Sequence, residues 1–257
     1  MRAVVVGVLG VVAMAAGPAQ GLDRALYAEL LEAHTREVTD LAGTRVDYAA
    51  LTRAKDWRRL VEGLADAEPD GLAGRDAQLA FWIDVYNVLA IHMVVRHYPV
   101  GGIREIGSLL RSVWKRPAGE VGDRTLTLDQ IEHDILRPMG DPRIHGAIVC
   151  ASLSCPPLAR EPYRPEALDA QLDANLRRWL ADPRKGVRLD RPRRTLHVSP
   201  IFDWFEEDFE AAGGVLPFLA RYAPADVAEA IREGGASLRI RTLDYDWSLN
   251  DLSRAGR

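Results

Sequence analysis

The residues best suited to chemistry lie in the stretch RIHGAIVCASLSCPPL, residues 143–158, which holds both cysteines of the chain and a histidine. A cysteine acts as a nucleophile through its thiolate, so at neutral pH it needs a base or other stabilising groups nearby. Cys150 follows an apolar segment and precedes a turn, Ala151 to Ser154, whose backbone N–H groups could bind an oxyanion. Cys155 is the rival nucleophile, but Pro156 and Pro157 supply no N–H donors there. We therefore favour Cys150.

The preceding segment, LTLDQIEHDILR, offers a base for this thiol. Thr127 and Gln130 have the spacing of a capping box, which predicts that a short helix begins here. His133 on this helix is the candidate general base, and Glu132 or Asp129 is the carboxylate that would orient it. The pattern thus indicates a thiol, an imidazole and a carboxylate acting together.

The apolar run before Cys150 predicts a β-strand over residues 143–150. Side chains alternate along a strand, so His145 would lie on the face opposite Cys150. On this geometry His145 is not expected to be the direct base.

Two other interpretations of these residues remain open. A Cys150–Cys155 disulfide would contribute about 2 kcal/mol in a loop this short, and the protein would then be a non-catalytic envelope domain that binds a ligand or has a structural role. A metal site formed by His133, His145 and a carboxylate such as Asp134 is the least favoured, and the cysteine spacing matches no zinc pattern. We predict neither a metal nor a cofactor.

The remaining pattern predicts an α+β fold in a single domain, residues 22–257, with helices around a small, mostly antiparallel sheet. Residues 76–98 have the longest helical pattern, apolar around most of its circumference, which is typical of a buried central helix. Hairpins are predicted around Gly119 and Gly122, and across DRPRR. We expect the strand over residues 143–150 to be central in the sheet.

Composition and the first residues indicate the class of protein and its compartment. The chain has 257 residues, is 47% hydrophobic and carries a formal charge of −4, which argues against nucleic-acid binding. Residues 1–21 have the basic start, short apolar run and small residues of a secretory signal peptide. The run is short for a membrane span, so we expect no stable span after cleavage and a periplasmic or secreted protein. An uncleaved N-terminal anchor is the alternative.

The chain resembles the domain of unknown function 547 family between about Val46 and Asn250. The resemblance lies in AFWIDVYNVLAIH, the two segments described above, IFDWFEEDF and YDWSLN. By analogy with papain-like and transglutaminase-like folds, it implies a cysteine hydrolase that acts on peptide or amide bonds of a peptide or small-molecule ligand. The matching motif residues are Asn87, Glu132, His133, His145, Cys150 and Cys155. We expect Asn87 and His145 to bind substrate and the other four to be catalytic.

Overall fold

The computed structural model describes residues 21–108 and 111–255 of the chain. The predicted signal peptide lies outside these two ranges, apart from Gly21. The fold and the site are therefore those of residues 21–108 and 111–255.

The α+β fold class predicted from the sequence is confirmed. Helices and short strands alternate along the chain, with 3-10 turns between several of them. The α-helices are α1 (Arg24–His34), α2 (Tyr48–Leu51), α3 (Lys55–Glu62), α4 (Arg75–His97), α5 (Leu128–Gln130), α6 (Leu168–Leu180), α7 (Ile201–Trp204), α8 (Glu206–Ala211), α9 (Val215–Tyr222) and α10 (Ala225–Gly234). The strands are β1 (Thr35–Glu37), β2 (Thr44–Val46), β3 (Pro117–Val121), β4 (Arg124–Thr127), β5 (Val187–Asp190), β6 (Thr195–Val198) and β7 (Arg239–Thr242).

Helix α4 is the central element of the larger hydrophobic core, as its apolar pattern predicts. Within the described residues it is the one helix whose length and hydropathy would suit a membrane span. However, 83% of its most apolar window is buried inside the protein, which is how the core helix of a soluble fold behaves. A second hydrophobic cluster surrounds the end of α6 and the helices α7 to α10.

The strands form three small sheets. Both predicted hairpins are confirmed, as the antiparallel pairs β3–β4 and β5–β6. Strand β7 joins β6 in parallel, and β1 pairs with β2. The predicted capping box is also present, since Thr127 and Gln130 exchange hydrogen bonds. Directly after it, Ile131–Leu136 forms a π-helical turn, a local widening that often occurs at functional sites.

The predicted central strand over residues 143–150 is wrong. Pro142–Gly146 is a 3-10 helix, capped by the Asp141 side chain, and the residues after it have an irregular backbone. The apolar residues of this run are buried as expected, but burial alone does not distinguish a strand from another core segment. Gly146 packs directly against Leu176 on α6, and a β-carbon at this position would collide with the Leu176 side chain. The glycine therefore allows the 3-10 helix to approach α6 closely.

Candidate active site

One cavity of about 330 Å³ brings together five of the six residues that the sequence analysis selected. The five are Glu132, His133, His145, Cys150 and Cys155. They come from two segments, the π-helical turn and the 3-10 helix Pro142–Gly146 together with the loop that follows it. The volume lies within the range of small-molecule sites.

The two sulfurs are adjacent and unbonded, with their Sγ atoms 2.8 Å apart. Cys150 is partly exposed to the cavity, whereas Cys155 is buried. Burial raises the pKa of the Cys150 thiol, but hydrogen bonds with Cys155, Ser152 and Tyr245 outweigh it and lower that pKa to about 7. Burial and the neighbouring Cys150 sulfur raise the pKa of Cys155. Cys155 therefore keeps its proton and donates to the Cys150 thiolate.

Residues 147–155, which carry both cysteines, form a loop that we call the cysteine loop. It turns through Ala151, whose φ of 59° is uncommon for a residue with a side chain. Of the N–H groups predicted to bind an oxyanion, those of Leu153 and Ser154 donate instead to backbone oxygens of Ser248 and Asp246. The predicted oxyanion pocket from Ala151 to Ser154 is therefore wrong for its second half. These bonds join the loop to the C-terminal segment of the chain.

Asn87, the sixth selected residue, is not among the residues that line the cavity. Its side chain is buried on α4, where the amide nitrogen donates to the Ala147 oxygen at 3.0 Å. Its oxygen accepts from the Val149 N–H at 2.9 Å. The Asn87 amide thus provides hydrogen-bond partners for the backbone just before Cys150, where a β-strand would have paired with a neighbouring strand. Asn87 positions the cysteine loop.

Lys185 fastens the same loop from another side. Its ammonium group is buried and donates to the backbone oxygens of Ala42 at 2.8 Å, Cys155 at 2.7 Å and Leu153 at 3.4 Å. Burial lowers the pKa of Lys185 to about 8. The three acceptors use all three N–H donors of the ammonium group, which accounts for a lysine in this buried position.

His133 is exposed and forms no hydrogen bond to either sulfur in the described structure. Its Nδ1 lies 2.7 Å from Arg137 Nη1, and its Nε2 lies 4.0 Å from an Asp129 oxygen. A guanidinium can only donate, so the Nδ1 lone pair of His133 is already occupied. Asp129 has the orienting position that helical spacing predicted. Glu132, the other predicted orienter, points elsewhere.

His145, by contrast, is buried and joined to a carboxylate from α8. Its Nε2 lies 2.7 Å from Asp208, which also accepts two hydrogen bonds from Arg137. The ring stacks on Phe205 with centroids 4.1 Å apart. Burial lowers the pKa of His145, and the hydrogen bond to Asp208 only partly offsets this, so the fold favours the neutral ring. Its Nδ1 is buried and has no partner in the described structure, which leaves one lone pair free.

Glu132 is a buried carboxyl whose oxygen accepts a hydrogen bond from the Tyr86 hydroxyl at 3.1 Å. Burial raises the pKa of Glu132 to about 7, a hydrogen bond from Tyr86 opposes the rise, and the nearby Cys150 sulfur adds to it. Two groups of one cavity, Glu132 and Cys150, therefore titrate near neutral pH. Such perturbed groups concentrate at functional sites.

Several site residues were not recognised from the sequence. Asp208 and Tyr245 lie in IFDWFEEDF and YDWSLN, motifs that were noted without a role for any residue, and Lys185 lies in no noted motif. Within residues 21–108 and 111–255, no group of three His, Cys, Asp or Glu side chains is arranged to hold a metal ion. The alternative site of His133, His145 and Asp134 is therefore not assembled.

Comparison with known proteins finds a family match for part of the chain. Residues 69–180 match the family described as "Protein of unknown function, DUF547". This match supports the resemblance to that family over residues 69–180. The DUF547 match includes α4, the π-helical turn and the cysteine loop, whereas Asp208 and Tyr245 lie beyond it. No curated protein and no solved structure gives a significant match to the chain.

Proposed function

We propose that this protein is a cysteine-dependent hydrolase of peptide or related amide bonds, with Cys150 as the nucleophile. The observation that carries the proposal is the Cys150 sulfur itself, partly exposed in a cavity and held by three hydrogen-bonding side chains that lower its pKa to about 7. About half of such a thiol is ionised at neutral pH, so no separate base is needed to activate it.

The reaction has two steps. The Cys150 thiolate attacks the carbonyl carbon, a C–S bond forms and the C–N bond breaks. The departing amine takes a proton from Glu132, whose pKa of about 7 lets it donate and later accept. Water then attacks the thioester and releases the acid, Glu132 takes up the proton, and the thiolate is restored.

His145 is a second group suited to proton transfer. It lines the same cavity, is oriented by Asp208 and has a free Nδ1 lone pair in the described structure. This imidazole–carboxylate arrangement resembles that of other thiol and serine hydrolases. In the proposal it replaces His133, whose Nδ1 is bonded to Arg137.

Labelling by iodoacetamide tests the nucleophile. In the full chain we expect modification at pH 7 with a half-maximal rate near pH 7, and loss of this fast modification in Cys150→Ala. Cys155→Ala should still be labelled, but with its midpoint at higher pH, because the thiolate loses a hydrogen-bond donor. Fast labelling of Cys150→Ala at the parent rate would overturn the assignment.

Hydrolysis is tested with a panel of blocked peptide amides, measuring release of free amine. We expect release by the parent protein and none by Cys150→Ala. If no substrate releases amine although Cys150 is labelled fast, the thiol is reactive but the hydrolase proposal fails.

A second candidate function is favoured by the 2.8 Å separation of the sulfurs. Oxidation of this pair would give a non-catalytic envelope domain with a Cys150–Cys155 disulfide. A thiol titration of protein purified without reductant distinguishes the two candidates. Two free thiols support the hydrolase, and none supports the disulfide-bonded domain.

We also propose that the protein is exported to the periplasm or secreted, on the sequence pattern of residues 1–21. Mass spectrometry of the mature N-terminus after expression in a Gram-negative host tests this. A chain that begins just after residue 19 or 21 supports export, and an intact residue 1 contradicts it.

A further inference from the structure

The cavity next to Cys150 has an aromatic wall formed by Trp114, Trp204, Tyr245 and Trp247. The rings of Trp204 and Trp247 are stacked with centroids 5.5 Å apart, and Tyr245 lies 4.9 Å and 4.5 Å from them. Trp114 meets Trp247 edge-on at 5.7 Å. Tyr245 also contacts the Cys150 sulfur, so this aromatic wall begins at the nucleophile.

Trp204 is unusually exposed for its size. The residue is 46% accessible, and in the described part of the chain the only other large apolar residue classed as exposed is Ile240. Ile240 lies on β7 and does not line the cavity. An indole left in contact with water at the mouth of a cavity is a surface that a ligand would cover.

The charges around the cavity disfavour an ionised ligand. Asp129 and the Cys150 thiolate line it, and among the described residues that line it none is a lysine or an arginine, so an anion would be unfavourable. A cation is disfavoured at the aromatic wall because the Arg104 guanidinium already lies 4.9 Å from the centroid of Trp247. The flat surface that remains suits a neutral ring.

We propose that the substrate carries a neutral aromatic side chain, which stacks on the exposed indole of Trp204 beside the amide bond that Cys150 attacks. This inference rests on the proposed function, because it names the substrate class of the same cavity. Stacking offers an aromatic ring a gain beyond burial alone, and the wall lies close enough to the sulfur to select the residue next to the reacting carbonyl.

Binding is measured by isothermal titration calorimetry on the full chain with Cys150→Ser, so that no probe is hydrolysed. The probes are acetylated tripeptide amides Ala-X-Ala, in which X is Phe, Leu, Asp or Lys. We expect the Phe probe to bind about two- to tenfold more tightly than the Leu probe, and the Asp and Lys probes to bind more weakly than Leu.

Trp204→Ala added to Cys150→Ser should abolish the preference for Phe over Leu, whereas Ile240→Ala, the matched exposed control, should retain it. Circular dichroism checks that each variant is folded. Equal binding of Phe and Leu, or a Phe preference that survives Trp204→Ala, would overturn the inference. If the preference is found but the parent protein hydrolyses no amide, the aromatic site stands and the hydrolase proposal alone fails.

Discussion

The two histidines that line the cavity differ in their burial, in the element that carries them and in the residues that hold their rings. His133 lies on a helical turn, is 40% exposed and is held by neighbours from its own turn, Asp129 and Arg137. His145 is buried in the 3-10 helix Pro142–Gly146, stacks on Phe205 and is held by Asp208 from α8. Spacing along a helix was sufficient to select His133 from the sequence. The shorter and more buried imidazole–carboxylate pair, that of His145, depends on tertiary contacts.

The largest effect is expected at Glu132, the buried neighbour of exposed His133. Its pKa rises from 4.5 to about 7 on folding, so the folded protein binds the proton more tightly than the unfolded chain. The difference in pKa contributes about 3 kcal/mol to the free energy of unfolding. This contribution is complete below pH 4.5 and is lost as the pH rises through 7. Glu132→Gln should remove this pH dependence.

Urea unfolding between pH 4 and pH 8 measures how the free energy of unfolding depends on pH. Asp134→Asn, on the same turn but exposed, is the matched control and should follow the parent protein. If Glu132→Gln has the same pH dependence as the parent, Glu132 is not the buried titrating group, and the contrast within this turn is lost.

The next effect concerns the carboxylates that hold the two rings. Asp208→Ala should lower the free energy of unfolding by about 2 kcal/mol, because it leaves Arg137 and buried His145 without their shared acceptor. Asp129→Ala should cost less than about 0.5 kcal/mol, since its contact with the His133 ring is exposed and 4.0 Å long. Denaturant unfolding at pH 7 gives both values, and equal losses would contradict the comparison.

Substitution of the rings themselves should follow the same order with a smaller effect. His145→Asn loses the stack on Phe205 and should destabilise the fold by about 1–2 kcal/mol. His133→Asn should change stability by less than about 0.5 kcal/mol. Thermal unfolding monitored by circular dichroism is a suitable measurement, and a larger loss for His133 would reverse the assignment.

The smallest effect is expected for the reactivity of Cys150 in His133→Asn. Because His133 forms no hydrogen bond to the sulfur in the described structure, the iodoacetamide rate at pH 7 should stay within about twofold of the parent rate. A tenfold decrease would restore His133 as the base that the sequence analysis proposed.

The sequence predicted those parts of the fold that local patterns determine. Helix α4 was predicted because its apolar residues surround the helix, and Thr127 with Gln130 fixed the start of α5. The segment 143–150 was mispredicted because a short apolar run does not distinguish a buried strand from a buried turn. The backbone partner there is the Asn87 side chain, which no strand pattern reveals.

The sequence motifs contain most of the selected residues that line the cavity, but they do not reveal the hydrogen-bond partners of those residues. Cys150, Cys155, Glu132 and His145 do share a cavity, as residues of neighbouring motifs often do. The partners that tune them lie far along the chain: Asp208 is 63 residues from His145, and Tyr245 is 95 residues from Cys150. Such contacts depend on how α8 and the C-terminal segment pack, which spacing within one motif cannot show.

The bonds from the cysteine loop to Asp246 and Ser248 have a consequence for the acidity of the thiol. Ser152 and Cys155 lie beside Cys150 in the sequence, but the third side chain that lowers the pKa of Cys150, Tyr245, lies far along the chain. It reaches the sulfur only when its segment packs on the loop, where the N–H groups of Leu153 and Ser154 bind the backbone oxygens of Ser248 and Asp246. The full acidity of the sulfur therefore requires the tertiary packing of both segments.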